Sequence, residues 1–296
     1  MPTYLHPSVL SKAEALGIQA RSIVEGLRVG DHKSPFRGFS VEFVQHREYT
    51  PGDDIRHIDW KSYGRSERYT IKQYEQETNF TAHILLDGSK SMQYGDGPAN
   101  KLEYAKLLAA TLAYVVVRQR DSVALSVFDR DWRIELPASS SMANVNTILH
   151  TLEALNPEEK TSIGPLLERL ADRIRRRGLI FLISDVFDEV DSFLKGLKHL
   201  RFQGHDVTVF HVMHPDEIEF PFTGNIKFDG LEVPEEIKTR PHLIRPAYQR
   251  IVKEYLIELQ KGCDSYRVDY VALDPTRPLE HGLSNYLVRR LQMGRL

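Results

Sequence analysis

From residue 81 onward the hydrophobic positions follow two rhythms in turn, short apolar runs and then longer stretches with a helical stripe. The runs at 81–87, 122–128, 132–136, 179–184 and 206–213 predict strands, with 268–273 as a last edge or core strand. Between them Leu102, Ala105, Leu108, Ala109, Leu112, Val115 and Val116 share one helix face, and Ile163, Leu166, Leu167, Leu170 and Ile174 share another. Such alternation predicts an α/β domain, a mostly parallel sheet with helices on both faces. Residues 121–129 and 131–136 are too close for a helical crossover, so they predict an antiparallel hairpin that sets an edge strand against the rest.

Ahead of this block, Val9, Leu10, Ala13, Leu16, Ala20, Ile23, Val24 and Leu27 predict an amphipathic N-terminal helix over 7–27, stopped by Gly30. Residues 36–78 predict loops and short strands, with alternation at Ser40–Val44 and a β-rich piece at Tyr69–Ile71. The expected division is a helix and β-rich extension over 1–78 and an α/β domain over 79–296. Within the latter, 215–241 is rich in Pro, Glu and Gly without a helical period, and predicts an excursion with a short hairpin around Phe228-Asp229-Gly230-Leu231. Ala247, Ile251, Tyr255 and Leu259 then mark a helix, and Leu283, Tyr286, Leu287 and Leu291 a final one.

Composition narrows the function. Thirty-nine Lys and Arg against 41 Asp and Glu leave a net charge of −2, so no broad electrostatic attraction to nucleic acid or anionic lipid is expected and partner choice must be local. The single cysteine, Cys263, cannot form an internal disulfide and reads as an inert residue near a helix end. The longest apolar stretch, 107–117, falls short of the roughly 20 residues of a spanning helix. With no signal-peptide pattern at the N-terminus, the expectation is a cytoplasmic protein without membrane insertion.

Candidate chemistry starts at Asp87-Gly88-Ser89-Lys90-Ser91, directly after the apolar run 82–86. A carboxylate and two hydroxyls at alternate positions leaving a strand are oxygen donors aimed into one space, as a small hard cation requires. An ordinary turn whose hydroxyls cap backbone amides is the alternative reading. Thr161, just before one predicted helix, and Asp185, just after one predicted strand, add oxygen donors where open α/β sheets build their sites.

Asp-x-Ser-x-Ser, then Thr, then Asp resembles the metal-ion-dependent adhesion site (MIDAS) of von Willebrand factor type A domains. The resemblance implies a Rossmann-type fold and a metal set of Asp87, Ser89, Ser91, Thr161 and Asp185. Two carboxylates and three hydroxyls would hold a divalent cation, magnesium first with manganese or calcium as alternates, and leave a coordination position for a partner's carboxylate. Asp188 reads as a helix cap or as a residue supporting that site.

A second motif precedes the sheet. Ser34-Pro35-Phe36-Arg37-Gly38, then Glu48-Tyr49-Thr50-Pro51-Gly52-Asp53-Asp54-Ile55-Arg56-His57-Ile58-Asp59-Trp60, with Arg65 beyond, resembles the signature of the bacterial family called domain of unknown function fifty-eight. That resemblance implies a non-enzymatic interaction module working with a MoxR-type AAA+ ATPase. In the signature, Asp53, Asp54, Arg56, Asp59 and Arg65 are read either as local ion pairs around the Pro51-Gly52 turn, with Trp60 as apolar anchor, or as a partner-binding face.

Other chemistry finds less support. Ser89 lacks the Gly-x-Ser-x-Gly elbow of a hydrolase nucleophile, His211 and His214 fall at a strand end where they make a poor zinc pair, and there is no phosphate-binding Gly-rich loop. The basic run 173–177 reads as a solvated helix end. The competing class is a metal-assisted, phosphoesterase-like hydrolase using the same cation to activate water.

Overall fold

The computed structural model describes residues 41–50, 59–66, 68–76, 80–118, 120–158, 163–230, 236–279, 281–283 and 286. The expected helix over 7–27 and Asp53, Asp54, Arg56 and Thr161 of the candidate residues lie outside these, as does most of the final helix. The described residues fall into two compact units, a smaller one within 31–79 and a larger one from residue 80 onward.

In the smaller unit, strands β1 (Val41–Glu48) and β2 (Thr70–Gln76) pair antiparallel with an irregularity between Phe43 and Gln45. Between them in sequence lies a short helix, α1 (Trp60–Ser66). Asp59 caps it: Oδ1 accepts from the Ser62 amide at 3.2 Å, and its own amide donates to the Thr70 carbonyl at 2.8 Å. Asp59 is buried, whereas Trp60, expected as an apolar anchor, is 61% exposed and stands edge-on to Tyr63. Tyr63 in turn stacks on Tyr69 with ring centroids 4.5 Å apart.

The larger unit carries β3 (Thr81–Asp87), α2 (Lys101–Arg118), β4 (Ser122–Phe128), β5 (Trp132–Ser139), α3 (Met142–Ala154), α4 (Ile163–Arg173), β6 (Leu179–Ser184), α5 (Val190–Phe202), β7 (Asp206–Val212), α6 (Pro215–Glu219), β8 (Ile226–Asp229), β9 (Glu236–Thr239), α7 (Pro241–Ser265) and β10 (Asp269–Leu273). Six strands form one sheet in the order β10-β7-β6-β3-β4-β5, parallel throughout except for the β4–β5 hairpin. β8 and β9 form a separate antiparallel hairpin within the expected excursion, Phe228 facing Ile237.

Two apolar layers cover the sheet. Ile84 and Leu86 of β3 pack with α2 and α3, through Leu108, Leu112, Ile148 and Leu149. Leu85 turns the other way, toward α4, α5 and α7 through Leu167, Phe193, Leu197 and Leu259. A strand buried on both faces reads as a continuous apolar run, and each fully buried Leu or Ile adds about 1.5–3 kcal/mol. The α4–α5 contact is close because a Cβ on Gly196 would come within 2.7 Å of Leu167 Cβ. Cys263 is buried in the second layer, where burial pushes its thiol up to about 12.

The topology places a cleft. After β3 the chain moves to the layer containing α2, and after β6 to the layer containing α5. β3 and β6 are neighbours, so their carboxyl ends diverge and open a crevice at the sheet edge, where α/β proteins place ligands.

Candidate functional site: an oxygen-rich crevice at the sheet edge

Asp87 ends β3 and Asp185 follows β6, so the crevice brings together two carboxylates 98 positions apart in the chain numbering, both buried. Asp87 Oδ1 accepts from the Ser89 amide at 2.9 Å and Oδ2 from the Ser184 hydroxyl at 2.6 Å. Ser184 is itself held, its oxygen accepting from the Val186 amide at 2.8 Å. Burial, with the nearby charge of Asp185, pushes Asp87 up to about 7 in spite of the hydrogen bonds from Ser184 and Ser89.

Beyond Asp87 the chain winds into a 3₁₀ turn over Lys90–Gln93, which is why Ser89 and Ser91 face the same way. Their hydroxyl oxygens lie 2.9 Å apart; Ser89 is fully buried, Ser91 nearly so, and Lys90 between them is exposed.

Asp185 meets a group that sequence reasoning missed. Lys101, the first residue of α2, sends its fully buried ammonium to Asp185 Oδ2 at 2.8 Å and to Glu217 Oε1 at 2.6 Å. Burial works to discharge Lys101, but Asp185 and Glu217 together outweigh it and hold its pKa above the ordinary value. Phe187 and Tyr94 flank the ammonium, their ring centroids 5.1 and 6.0 Å from Nζ. Glu217 belongs to α6, and its other oxygen accepts from the His214 amide at 2.8 Å in a capping box.

His211, at the end of β7, completes the back wall. Its Nε2 lies 2.8 Å from the Asp185 carbonyl and its Nδ1 2.5 Å from the Tyr270 hydroxyl. A carbonyl only accepts, so Nε2 carries the proton and Nδ1 accepts from tyrosine. Burial lowers this imidazole to about 4, which keeps it neutral. Val186 takes φ of 51°, unusual for a β-branched residue, and its carbonyl accepts from the Tyr255 hydroxyl of α7.

Asp188 is a cap: its Oδ2 accepts from the amides of Ile163 and Gly164 at 2.7 and 3.0 Å, fixing the start of α4. On the other side of the undescribed stretch holding Thr161, Glu158 donates its amide to the Gly88 carbonyl at 3.0 Å and its carboxylate pairs with Arg133 at 2.6 Å. Of the sequence candidates, then, Asp87, Ser89, Ser91 and Asp185 meet in the crevice, while Asp59, Trp60 and Arg65 belong to the smaller unit. Among the described residues no group of three or more His, Cys, Asp or Glu is arranged to hold a metal ion. Carboxylates supplemented by serine hydroxyls nevertheless form an oxygen-only donor set, which suits a hard cation rather than a soft one.

Fold and crevice together define an α/β domain with a mostly parallel sheet and an oxygen-rich crevice at the carboxyl ends of its strands. Residues 45–256 match the family described as "Protein of unknown function DUF58", and the chain belongs to it. A relative, "Uncharacterized protein Rv1480" of Mycobacterium tuberculosis (strain ATCC 25618 / H37Rv), is 22% identical over 229 residues, 76% of this chain and 72% of its own. Similar solved structures include a von Willebrand factor type A protein from Catenulispora acidiphila, 13% identical with a TM-score of 0.44 over 75% of this chain and 44% of that one. Another is an aerotolerance-related membrane protein from Bacteroides fragilis NCTC 9343, 22% identical with a TM-score of 0.48 over 71% of this chain and 99% of that one.

The last similarity corrects the cytoplasmic expectation, which does not stand. It rested on the lack of a spanning segment and of a signal-peptide pattern, and a similar solved structure is that of a protein described as an aerotolerance-related membrane protein. No described helix here is long and apolar enough to cross a membrane, and that fact assigns no location.

Proposed function

We infer that the larger unit is a non-enzymatic protein-interaction module that binds a partner through a divalent cation, magnesium first, held by Asp87, Ser89, Ser91 and Asp185 with Thr161 as a further ligand. The observation that carries this reading is the convergence of two buried carboxylates and two hydroxyls 2.9 Å apart on the diverging ends of β3 and β6. Asp87, pushed up to about 7, is a carboxylate whose charge the surrounding protein does not fully compensate, and a cation would compensate it. The partner's contribution would be an Asp or Glu side chain that completes the coordination sphere. The resemblance of residues 48–65 adds a MoxR-type AAA+ ATPase as that partner.

A titration of this protein against the MoxR-type ATPase of the same host tests the reading. Binding is expected with magnesium, and its loss is expected with chelator or with Asp87→Ala. Equal binding under all three conditions would remove the cation bridge, and robust turnover of phosphoesters that disappears with Asp87→Ala would replace the module with a hydrolase.

A further inference from the structure

Lys101 is an unusual neighbour for a cation site. Its ammonium is fully buried, is bonded to Asp185 and Glu217, and is flanked by two aromatic rings. An ammonium costs a great deal to bury, and only carboxylates at contact distance hold it charged there. It cannot withdraw into solvent: Glu217 is fixed by the His214 amide on one oxygen, and its carbonyl accepts from Tyr248 at 2.8 Å. The result is a positive charge permanently seated on one oxygen of Asp185.

We propose that Lys101 is a built-in monovalent counter-ion that sets how tightly the crevice holds a divalent cation. The proposal rests on the cation reading above and deepens it. A divalent ion reaching Asp185 must share that carboxylate with the ammonium and bear the repulsion of a like charge at close range, which a partly desolvated site screens poorly. Glu217 moderates the effect, because the ammonium divides its attraction between two carboxylates. The arrangement keeps cation binding weak enough to be completed by an incoming carboxylate rather than saturated by the protein alone. Lys101 and Glu217 are positioning residues in this scheme; neither is a cation ligand.

The consequence is a pair of opposite signs. Replacing the ammonium and its second partner together, Lys101→Met with Glu217→Gln, removes one charge of each sign and leaves Asp185 unshared. Divalent affinity should rise at least about tenfold. Glu217→Gln alone directs the whole ammonium to Asp185, and affinity should fall by a similar factor. A merely structural role for the triad would weaken binding in both.

The experiment measures manganese binding by the loss of the free-ion paramagnetic resonance signal, for wild type, both variants and Asp87→Ala, together with melting curves in chelator and in manganese. The double variant matters because Lys101→Met alone buries three carboxylates without a counter-ion and would fold poorly in chelator. Tighter binding in the double variant and weaker binding in Glu217→Gln, with both melting cooperatively, establishes the counter-ion. Wild-type binding that neither variant alters overturns it and leaves the cation reading intact. Binding by wild type that Asp87→Ala does not reduce, or no binding by any form, overturns both.

Discussion

Titratable groups are buried at both ends of the central sheet, and burial treats them differently. Toward the amino end, His83 of β3 and His205, just ahead of β7, lie in mutual influence; desolvation, with the second ring nearby, lowers His83 to about 4, and desolvation lowers His205 as well. For His205 desolvation outweighs the Ile174 and Gly178 backbone groups that favour the charged ring, and both imidazoles stay neutral. At the carboxyl end the same desolvation acts on Asp87, Lys101 and Glu217, yet Lys101 keeps its charge because two carboxylates touch it. His211 at that end is neutral, but it is bonded on both nitrogens and serves as a wall. One end of the sheet thus keeps its buried imidazoles neutral while the other stores opposed charges away from water.

Substitutions can break this contrast, and the largest effect belongs to Asp185. Asp185→Ala leaves the Lys101 ammonium buried with Glu217 alone, and we expect a loss of about 3–5 kcal/mol in urea denaturation under chelator. A loss below about 1 kcal/mol would mean that the charged edge is not held by this pair. Next comes Asp87→Ala, which should abolish the cation-induced rise in melting temperature, a stabilisation of about 2.7 kcal/mol at a hundredfold excess over Kd. Lys90→Ala, at an exposed position, should keep that rise.

The dependence on pH sharpens the contrast further. Because the folded pKa of Asp87 is raised to about 7 while the unfolded carboxylate titrates near 4, the folded state binds more protons between these values. Stability of the metal-free protein, compared with Asp87→Asn, should therefore fall as pH rises through that window, by at most about 1.4 kcal/mol per pH unit, and level off above about 7. A difference that rises with pH would reverse the assignment. The smallest effect is expected at the amino end: His83→Gln should cost no more than about 1 kcal/mol and leave manganese binding unchanged, as equilibrium denaturation and resonance titration would report.

The strands of the sheet were legible because a parallel strand covered on both faces must be largely apolar, as Ile84–Leu86 and Leu179–Ile183 are throughout. The hairpin of β4 and β5 followed from the short gap between them. Helices α3 and α5 were not drawn from the sequence, although Val145, Ile148, Leu149 and Leu152, and Phe193, Leu197 and Leu200, carry the necessary spacing. Helix α6, at five residues, is too short for any period; only His214, Pro215 and Glu217 in capping positions signal it. In the site, Asp87, Ser89, Ser91 and Asp185 were readable from local motifs. Lys101 was not, because a lysine opening a helix ordinarily faces water, and its partners stand 84 and 116 positions away.

Val186 gives the crevice a mechanical character. A β-branched residue at φ of 51° costs of the order of 1–3 kcal/mol, so the turn directly after Asp185 would relax toward the extended region if released. The amide of Val186 is tied to Ser184, and its carbonyl to the Asp188 amide and to a tyrosine hydroxyl on α7. The joint is sprung and the long helix, packed in the same apolar layer as Val186, is one of its catches, so that the aim of Asp185 depends in part on how firmly α7 stays seated.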